Sequence, residues 1–176
     1  MKNSMKRNAF AVLIIIISFL LQSVLFPHLA FANIRPNLMV IVVAAYGFMR
    51  GKRTGLWVGV CCGLLTDVFW GGLIGFYTLI YAVIGYVNGS FQRMFYDDDI
   101  KLPLVLISGS DLVQSIIVYV GYFLLRGKFH FAYSLGHIIL PELVYTILAT
   151  LILYQIILHI NRKLDKEEQR SASRFV

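Results

Sequence analysis

The chain contains six long apolar runs that are almost free of charged residues. The first run, Ala9 to Phe26, has 18 residues and no charge at all. An α-helix rises about 1.5 Å per residue and the hydrocarbon layer of a membrane is about 30 Å thick, so about 20 apolar residues make one crossing. The runs therefore predict an all-α integral membrane protein with six transmembrane helices.

The composition excludes a soluble domain of this size. Apolar residues make up 59% of the chain and charged residues 14%, whereas soluble domains carry about a quarter charged residues. We predict one transmembrane domain, residues 1–160, followed by a cytoplasmic polar tail, residues 161–176. The predicted spans are residues 9–26, 36–49, 54–70, 72–91, 102–125 and 133–160.

The basic residues predict the orientation of the chain. With the N-terminus inside and six crossings, thirteen of the 16 Lys and Arg residues fall in inside segments, and only Arg35, Arg126 and Lys128 fall outside. This asymmetry follows the positive-inside rule, so both termini should be cytoplasmic. The net charge of +7 is then explained by orientation and by anionic lipid headgroups, without nucleic acid. The first run is longer than a signal peptide's apolar region, so we expect it to be retained.

Glycines recur every fourth residue through span three and the turn after it. The register consists of Gly51, Gly55, Gly59, Gly63, Gly71 and Gly75, with Asp67 in the remaining position. Small residues at this spacing line one ridge of a helix and allow close backbone contact in lipid. Gly85 and Gly89 repeat the spacing in span four. We predict that span three is central in the bundle, and that the register serves either packing within the chain or an oligomer contact.

Three acidic residues, Asp67, Asp111 and Glu142, lie within or at the ends of the predicted spans. A carboxylate at mid-bilayer costs about 2.5 to 3.5 kcal/mol on insertion scales, so such residues usually face protein or a watery cavity and mark function. No Lys or Arg lies within a span to neutralise them. We expect Asp67 and Glu142 near the outer face, within reach of Arg35 or Arg126, and Asp111 deeper.

Span five has one polar face, and span six has a similar one. At 100° per residue, an arc of about 80° contains the following side chains: Ser108, Asp111, Ser115, Tyr119 and Tyr122. Two interpretations remain open: a lined cavity or partner groove, or a ladder of interhelical hydrogen bonds around a protonated Asp111. In span six, Glu142 shares a face with Tyr145 and Thr146.

The sequence contains no recognisable catalytic or metal motif. An enzyme would need a nucleophile beside a base, or ligands at metal spacing. The two cysteines, Cys61 and Cys62, are adjacent and lack the spacing of a metal site. An outer-face enzyme site would have to be assembled from His28, His130, His137, Asp67 and Glu142. We predict no catalytic residue, no metal and no cofactor.

Several short motifs occur in order in the first half of the chain. They are Pro36-Asn37-Leu38, Gly59 to Gly63-Leu64-Leu65-x-Asp67, Gly72-x-x-Gly75, and Tyr81 to Gly85-Tyr86. In order and spacing they resemble the bacterial rod-shape-determining membrane protein family MreD. The likeness covers most of the chain in layout.

The resemblance implies a non-enzymatic scaffold of the cell-elongation and peptidoglycan-synthesis complex in the bacterial inner membrane. MreC would be the nearest partner, with MreB, RodA and a penicillin-binding transpeptidase in the same complex. The family is also similar in fold to the substrate-binding subunits of energy-coupling-factor transporters, so a small-molecule-binding subunit is the alternative function. Those subunits carry Ala-x-x-x-Ala on the first helix, whereas span one here has only Ala9 and Ala11. A homo-oligomer remains open.

Overall fold

A computed structural model describes residues 2–25, 35–70, 74–94, 100–126, 136 and 139–172 of the chain. The described residues form helices and contain no β-strand, which confirms the all-α prediction for this part of the chain. The helices are α1 (Lys2–Leu20), α2 (Leu38–Arg50), α3 (Lys52–Trp70), α4 (Phe76–Ser90), α5 (Lys101–Arg126) and α6 (Leu140–Ala172). A π-helical turn (Leu21–Leu25) continues α1, and a 3-10 turn (Phe91–Met94) continues α4.

The bounds of two helices differ from the predicted spans. Helix α4 begins at Phe76 rather than at residue 72, and Gly75 precedes it with a left-handed φ of +100°. The α-helical part of α6 runs from Leu140 through the predicted tail to Ala172, and residues 136 and 139 before it are π-helical. The predicted start of this span, residue 133, lies outside the described residues. The tail is rich in Lys, Arg, Glu and Gln, which are good helix formers. The predicted turn at Gly71 and residue 72 lies outside the described residues.

Within the described ranges, two helical segments are long and apolar enough to cross a membrane, Lys101–Gly121 and Leu140–Lys163. The segments Asn8–Val24 and Leu38–Arg50 are apolar but shorter. Helix α2 has 13 residues and is therefore about 20 Å long, well short of a hydrocarbon layer of about 30 Å. At least one end of α2 must consequently lie at membrane depth if the bundle is embedded.

Helix α2 is the centre of the bundle. Every residue from Leu38 to Met49 is buried, and all five other helices contact α2. The prediction that span three is central is wrong, because α3 exposes one side, where Trp57 and Val68 are 67% and 68% exposed. A helix that is apolar on all sides belongs in the interior, and the sequence of α2 has no polar face.

Helices α3 and α4 pack as an antiparallel hairpin whose backbones touch. A Cβ atom built on Gly59 would lie 2.6 Å from the carbonyl carbon of Tyr81, and one on Gly63 would lie 2.7 Å from the backbone nitrogen of Thr78. Real Cβ atoms essentially never approach closer than 3.0 Å. The glycine ridge of α3 is therefore filled by α4 of the same chain.

The end of this hairpin at which α3 begins and α4 ends has the same kind of glycine contact. A Cβ atom on Gly55 would overlap the backbone of Gly85, and one on Gly89 would lie 2.5 Å from the Cα atom of Lys52. Gly47 of α2 also faces Gly85, since its Cβ atom would lie 2.6 Å from the Gly85 carbonyl oxygen. Three helices thus meet at glycines, and this close approach brings α2 against the hairpin.

Candidate functional site

The first turn of α2 is buried, and side chains from other helices bind its backbone. The first N–H groups of a helix have no partner within the helix. The Oδ1 atom of Asn37, the N-cap residue, accepts from Val40 N at 3.3 Å. Gln22 Oε1, from the π-helical turn after α1, accepts from Met39 N at 3.1 Å. The Thr146 hydroxyl of α6 accepts from Asn37 N at 3.1 Å.

The side chain of Asn37 links α2 to two further helices. Its Nδ2 atom donates to Gln114 Oε1 of α5, and the Tyr81 hydroxyl of α4 donates to its Oδ1 atom at 3.4 Å. All three side chains are buried. The side-chain amide of Asn37 therefore joins α2 to α4 and α5, and the backbone nitrogen of the same residue joins α2 to α6. We name the surrounding group the α2 cap cluster: Asn37, Tyr81, Asp111, Gln114, Glu142 and Thr146.

Asp111 is the most enclosed acid of this cluster. It is 1% exposed, and its carboxyl group lies beside the Thr146 hydroxyl and the Asn37 amide. Glu142, in the first turn of α6, lies close enough to interact electrostatically with Asp111. The N-terminus of a helix carries a partial positive charge that favours nearby anions. The start of α2 thus supplies Asp111 with a positive neighbour, although no Lys or Arg lies within a predicted span.

The Oδ1 atom of Asp111 has no hydrogen-bond partner among the described residues. Buried polar atoms are nearly always hydrogen-bonded, so an orphaned acceptor is uncommon. The cluster therefore has unused acceptor capacity at its centre.

Asp67 lies near the end of α3 and caps the start of α4. Its carboxylate accepts from Gly75 N at 2.9 Å, Tyr77 N at 2.9 Å and Thr78 N at 3.0 Å, and from the Thr78 hydroxyl at 2.5 Å. These are the N–H groups that the helix itself leaves without partners. The tight hairpin brings the start of α4 back to Asp67, so four hydrogen bonds from α4 and Gly75 stabilise this carboxylate. The side chain of Arg126 lies outside the described residues, and the reach of Arg35 or Arg126 to Asp67 and Glu142 stays a prediction.

The structure brings only part of the predicted polar face of α5 to the cluster. Asp111 and Ser115 are buried, whereas Ser108 donates to the Leu104 carbonyl of its own helix at 2.7 Å. Tyr119 is half-buried further along α5. On α6, Thr146 joins the cluster, but Tyr145 does not, because 36% of its surface is exposed.

The proposed outer-face enzyme site cannot be assembled from the described residues. The three histidines predicted on the outside lie beyond the described ranges: His28, His130 and His137. The side chain of Tyr122 also lies outside the described residues. Within the described part of the chain, no group of three or more His, Cys, Asp or Glu side chains is arranged to hold a metal ion. The hypothesis of an outer-face site remains untested.

Sequence reasoning missed three of the residues that connect the helices. Asn37 has a recognisable signal, since an Asn before an apolar run is a favoured N-cap. Gln114 follows Asp111 by three residues, which places both on one side of α5. Asn88 of α4 donates to the Ser110 hydroxyl of α5 at 2.7 Å, and its sequence context gave no signal of this pairing.

The cluster consists of amides, hydroxyls and two carboxyl groups, and hydrogen bonds of Asn37 within it tie α2 to α4, α5 and α6. The cluster pairs buried polar groups around the N-terminus of the enclosed helix α2. Together with the apolar outer faces of the bundle, this defines an all-helical protein of the membrane type.

The chain matches the family model of the rod shape-determining protein MreD over residues 4–164. The match covers nearly the whole chain, so the chain belongs to the MreD family, a membrane protein family with a role in rod-shape determination. The resemblance noted in the sequence is confirmed. Neither a curated protein nor a solved structure gave a match.

Proposed function

We propose that this protein is a non-enzymatic scaffold of the cell-elongation complex, binding MreC and organising MreB, RodA and a penicillin-binding transpeptidase. The observation that carries the proposal is the family match over residues 4–164. The fold supports it physically, because an enclosed α2, capped by four other segments, and a glycine-packed hairpin make a rigid body. A rigid body holds partners in a fixed arrangement.

The scaffold crosses the bacterial inner membrane six times and has both termini in the cytoplasm. The support is the charge asymmetry of the sequence, together with the two segments that are long and apolar enough to span. Cysteine labelling tests it: in a Cys61→Ser/Cys62→Ala background, Ser4→Cys and Ser171→Cys should react with an impermeant maleimide only after lysis. The matched control, Lys128→Cys, should react in intact cells. Labelling of either terminus in intact cells would contradict the topology.

Partner binding is tested by purifying the tagged protein with MreC from membranes. We expect MreC to copurify with the wild type in mild detergent. If it does not, and crosslinking in cells also finds no contact, MreC is not the partner.

The requirement for helix packing is tested in a rod-shaped bacterium that lacks its own copy of the gene. Gly59→Leu should fail to restore rods, since the new side chain meets the backbone of α4. The control is Gly109→Leu, because Gly109 is exposed and has nothing within 4 Å of its Cβ position. Rods restored equally by both variants would refute the role of this packing.

A second candidate function, a small-molecule-binding subunit, is favoured by one observation. The Oδ1 atom of Asp111 is buried without a partner among the described residues, and a ligand's donor group would satisfy it. Mass spectrometry of the purified protein tests this function. A molecule retained by the wild type and lost from Asp111→Leu supports it, and independent preparations with no ligand would reject it.

A further inference from the structure

A basic cavity lies at the opposite end of α2 from the cap cluster. Its volume is about 620 Å³, and it is open on one side. Four cationic side chains line it together with two polar ones: Arg50, Lys52, Arg53, Arg93, Ser90 and Gln92. No acidic side chain lines it among the described residues.

The cavity is built by the turn between α2 and α3. Gly51 alone separates the two helices and has a φ of +88°, a conformation that glycine adopts without strain. Helix α3 begins at Lys52, and Lys52 and Arg53 line the cavity, which therefore lies at the N-terminal end of α3. Gly89 packs against the backbone of Lys52, which brings the end of α4 and its 3-10 turn to the cavity wall.

Two of the cationic side chains are held in place. The Nε and Nη2 atoms of Arg50 donate to Asn161 Oδ1 of α6 at 3.1 and 2.8 Å. The Nζ atom of Lys52 lies 5.5 Å from the centre of the Tyr86 ring, within the range of a cation–π contact. The cations and the positive end of α3 therefore create a fixed positive potential that attracts an anion.

The surroundings of the cavity indicate which anion fits. Tyr86, whose ring centre lies 5.5 Å from the Nζ atom of Lys52, is 47% exposed, and Trp57, further along α3, is 67% exposed. Exposed aromatic side chains next to cations are typical of the headgroup level of a membrane. Basic pockets between helices at this level bind anionic lipid headgroups.

We propose that this cavity, the α2–α3 basic pocket, binds the phosphate headgroup of an anionic phospholipid. Its assignment to the cytoplasmic leaflet rests on the topology proposed above, whereas binding itself does not. A free phosphate ion has the same chemistry and is the competing ligand.

Native mass spectrometry of the full-length protein in detergent tests the proposal with phosphatidylglycerol, phosphatidylcholine and inorganic phosphate as probes. The test variant is Arg53→Gln/Arg93→Gln, and the control is Lys101→Gln/Lys163→Gln, which removes the same charge from residues that do not line the pocket. A cation near a lipid surface contributes about 1 kcal/mol, so the test variant should bind phosphatidylglycerol about 30-fold more weakly. The control should bind like the wild type.

Equal binding of phosphatidylglycerol and phosphatidylcholine by the wild type would overturn the proposal, as would equal losses in the two double variants. Displacement of the lipid by excess inorganic phosphate would show a site for free anions and would overturn the lipid assignment. Unfolding curves of the two double variants show whether a loss of lipid binding is caused by misfolding. In that event Arg93→Gln alone, in the 3-10 turn, provides the test, with a weaker but selective loss expected.

Discussion

Gly59→Ala directly tests the contact between α3 and α4. The added Cβ atom would lie 2.6 Å from the carbonyl carbon of Tyr81 and 2.9 Å from the Cα atom of Ala82. Both are backbone atoms, so no flexible side chain can move aside. The two helices must therefore separate, and the hairpin loses contacts along its length.

The expected loss follows from two opposing effects. Overpacking by one methyl group costs about 1 to 3 kcal/mol, whereas Gly to Ala in a helix interior contributes about 1 kcal/mol of stability. Gly109→Ala is the matched control, because it gains the helix propensity and meets nothing within 4 Å. The difference in the free energy of unfolding between the two variants then measures the clash alone. We expect Gly59→Ala to be about 1 to 3 kcal/mol less stable than Gly109→Ala.

The assay is reversible unfolding in mixed micelles by titration with sodium dodecyl sulfate, followed by far-ultraviolet circular dichroism. Gly63→Ala should shift the midpoint in the same direction, since its Cβ atom would lie 2.7 Å from the backbone nitrogen of Thr78. If Gly59→Ala is as stable as Gly109→Ala, the backbones do not touch and the hairpin packing described above is wrong.

Three further substitutions test the links between helices in the same assay. Asp67→Asn should lower the free energy of unfolding by about 1.5 to 3 kcal/mol, because the charged cap of α4 is lost. Thr78→Val removes only one hydrogen bond to Asp67 and should cause a smaller loss. Equal losses in the two variants would contradict the capping role of Asp67. Asn37→Ala should lower the free energy of unfolding by at least about 2 kcal/mol, since it removes an N-cap and leaves buried partners unpaired. A smaller loss would show that the start of α2 does not depend on the Asn37 side chain. Arg50→Lys cannot keep both hydrogen bonds to Asn161 and should lower the free energy of unfolding by about 1 kcal/mol. An unchanged midpoint would refute this prediction.

The helical class and the family were predictable because their signals are local. Apolar runs of fixed length and short motifs in order can be read along the chain without knowing which helix meets which. The position of α2 was not predicted. Residues 36–49 were predicted only as one of six crossings, which stays a prediction, although their apolar character on all sides already indicated an enclosed helix.

The partners of the buried acids were harder to predict, because they depend on pairings distant in sequence. Asp67 meets groups eight to eleven residues later through the hairpin, and that could have been inferred from the turn. Asn37 meets Gln114 and Thr146, which are 77 and 109 residues away. No local pattern in a single sequence specifies such pairs.

The way the core is built limits where partners of the proposed scaffold can bind. Helix α2 is enclosed on all sides, and the ridge of α3 that carries Gly55, Gly59 and Gly63 is filled by α4. An oligomer contact through that ridge would require the hairpin to open, which removes the backbone contacts described above. The proposed contact with MreC, and any contact with a second copy, would therefore have to use outward faces, such as the side of α3 that exposes Trp57 and Val68. Substitutions there should alter partner binding without altering the free energy of unfolding, the reverse of what we expect for the glycines.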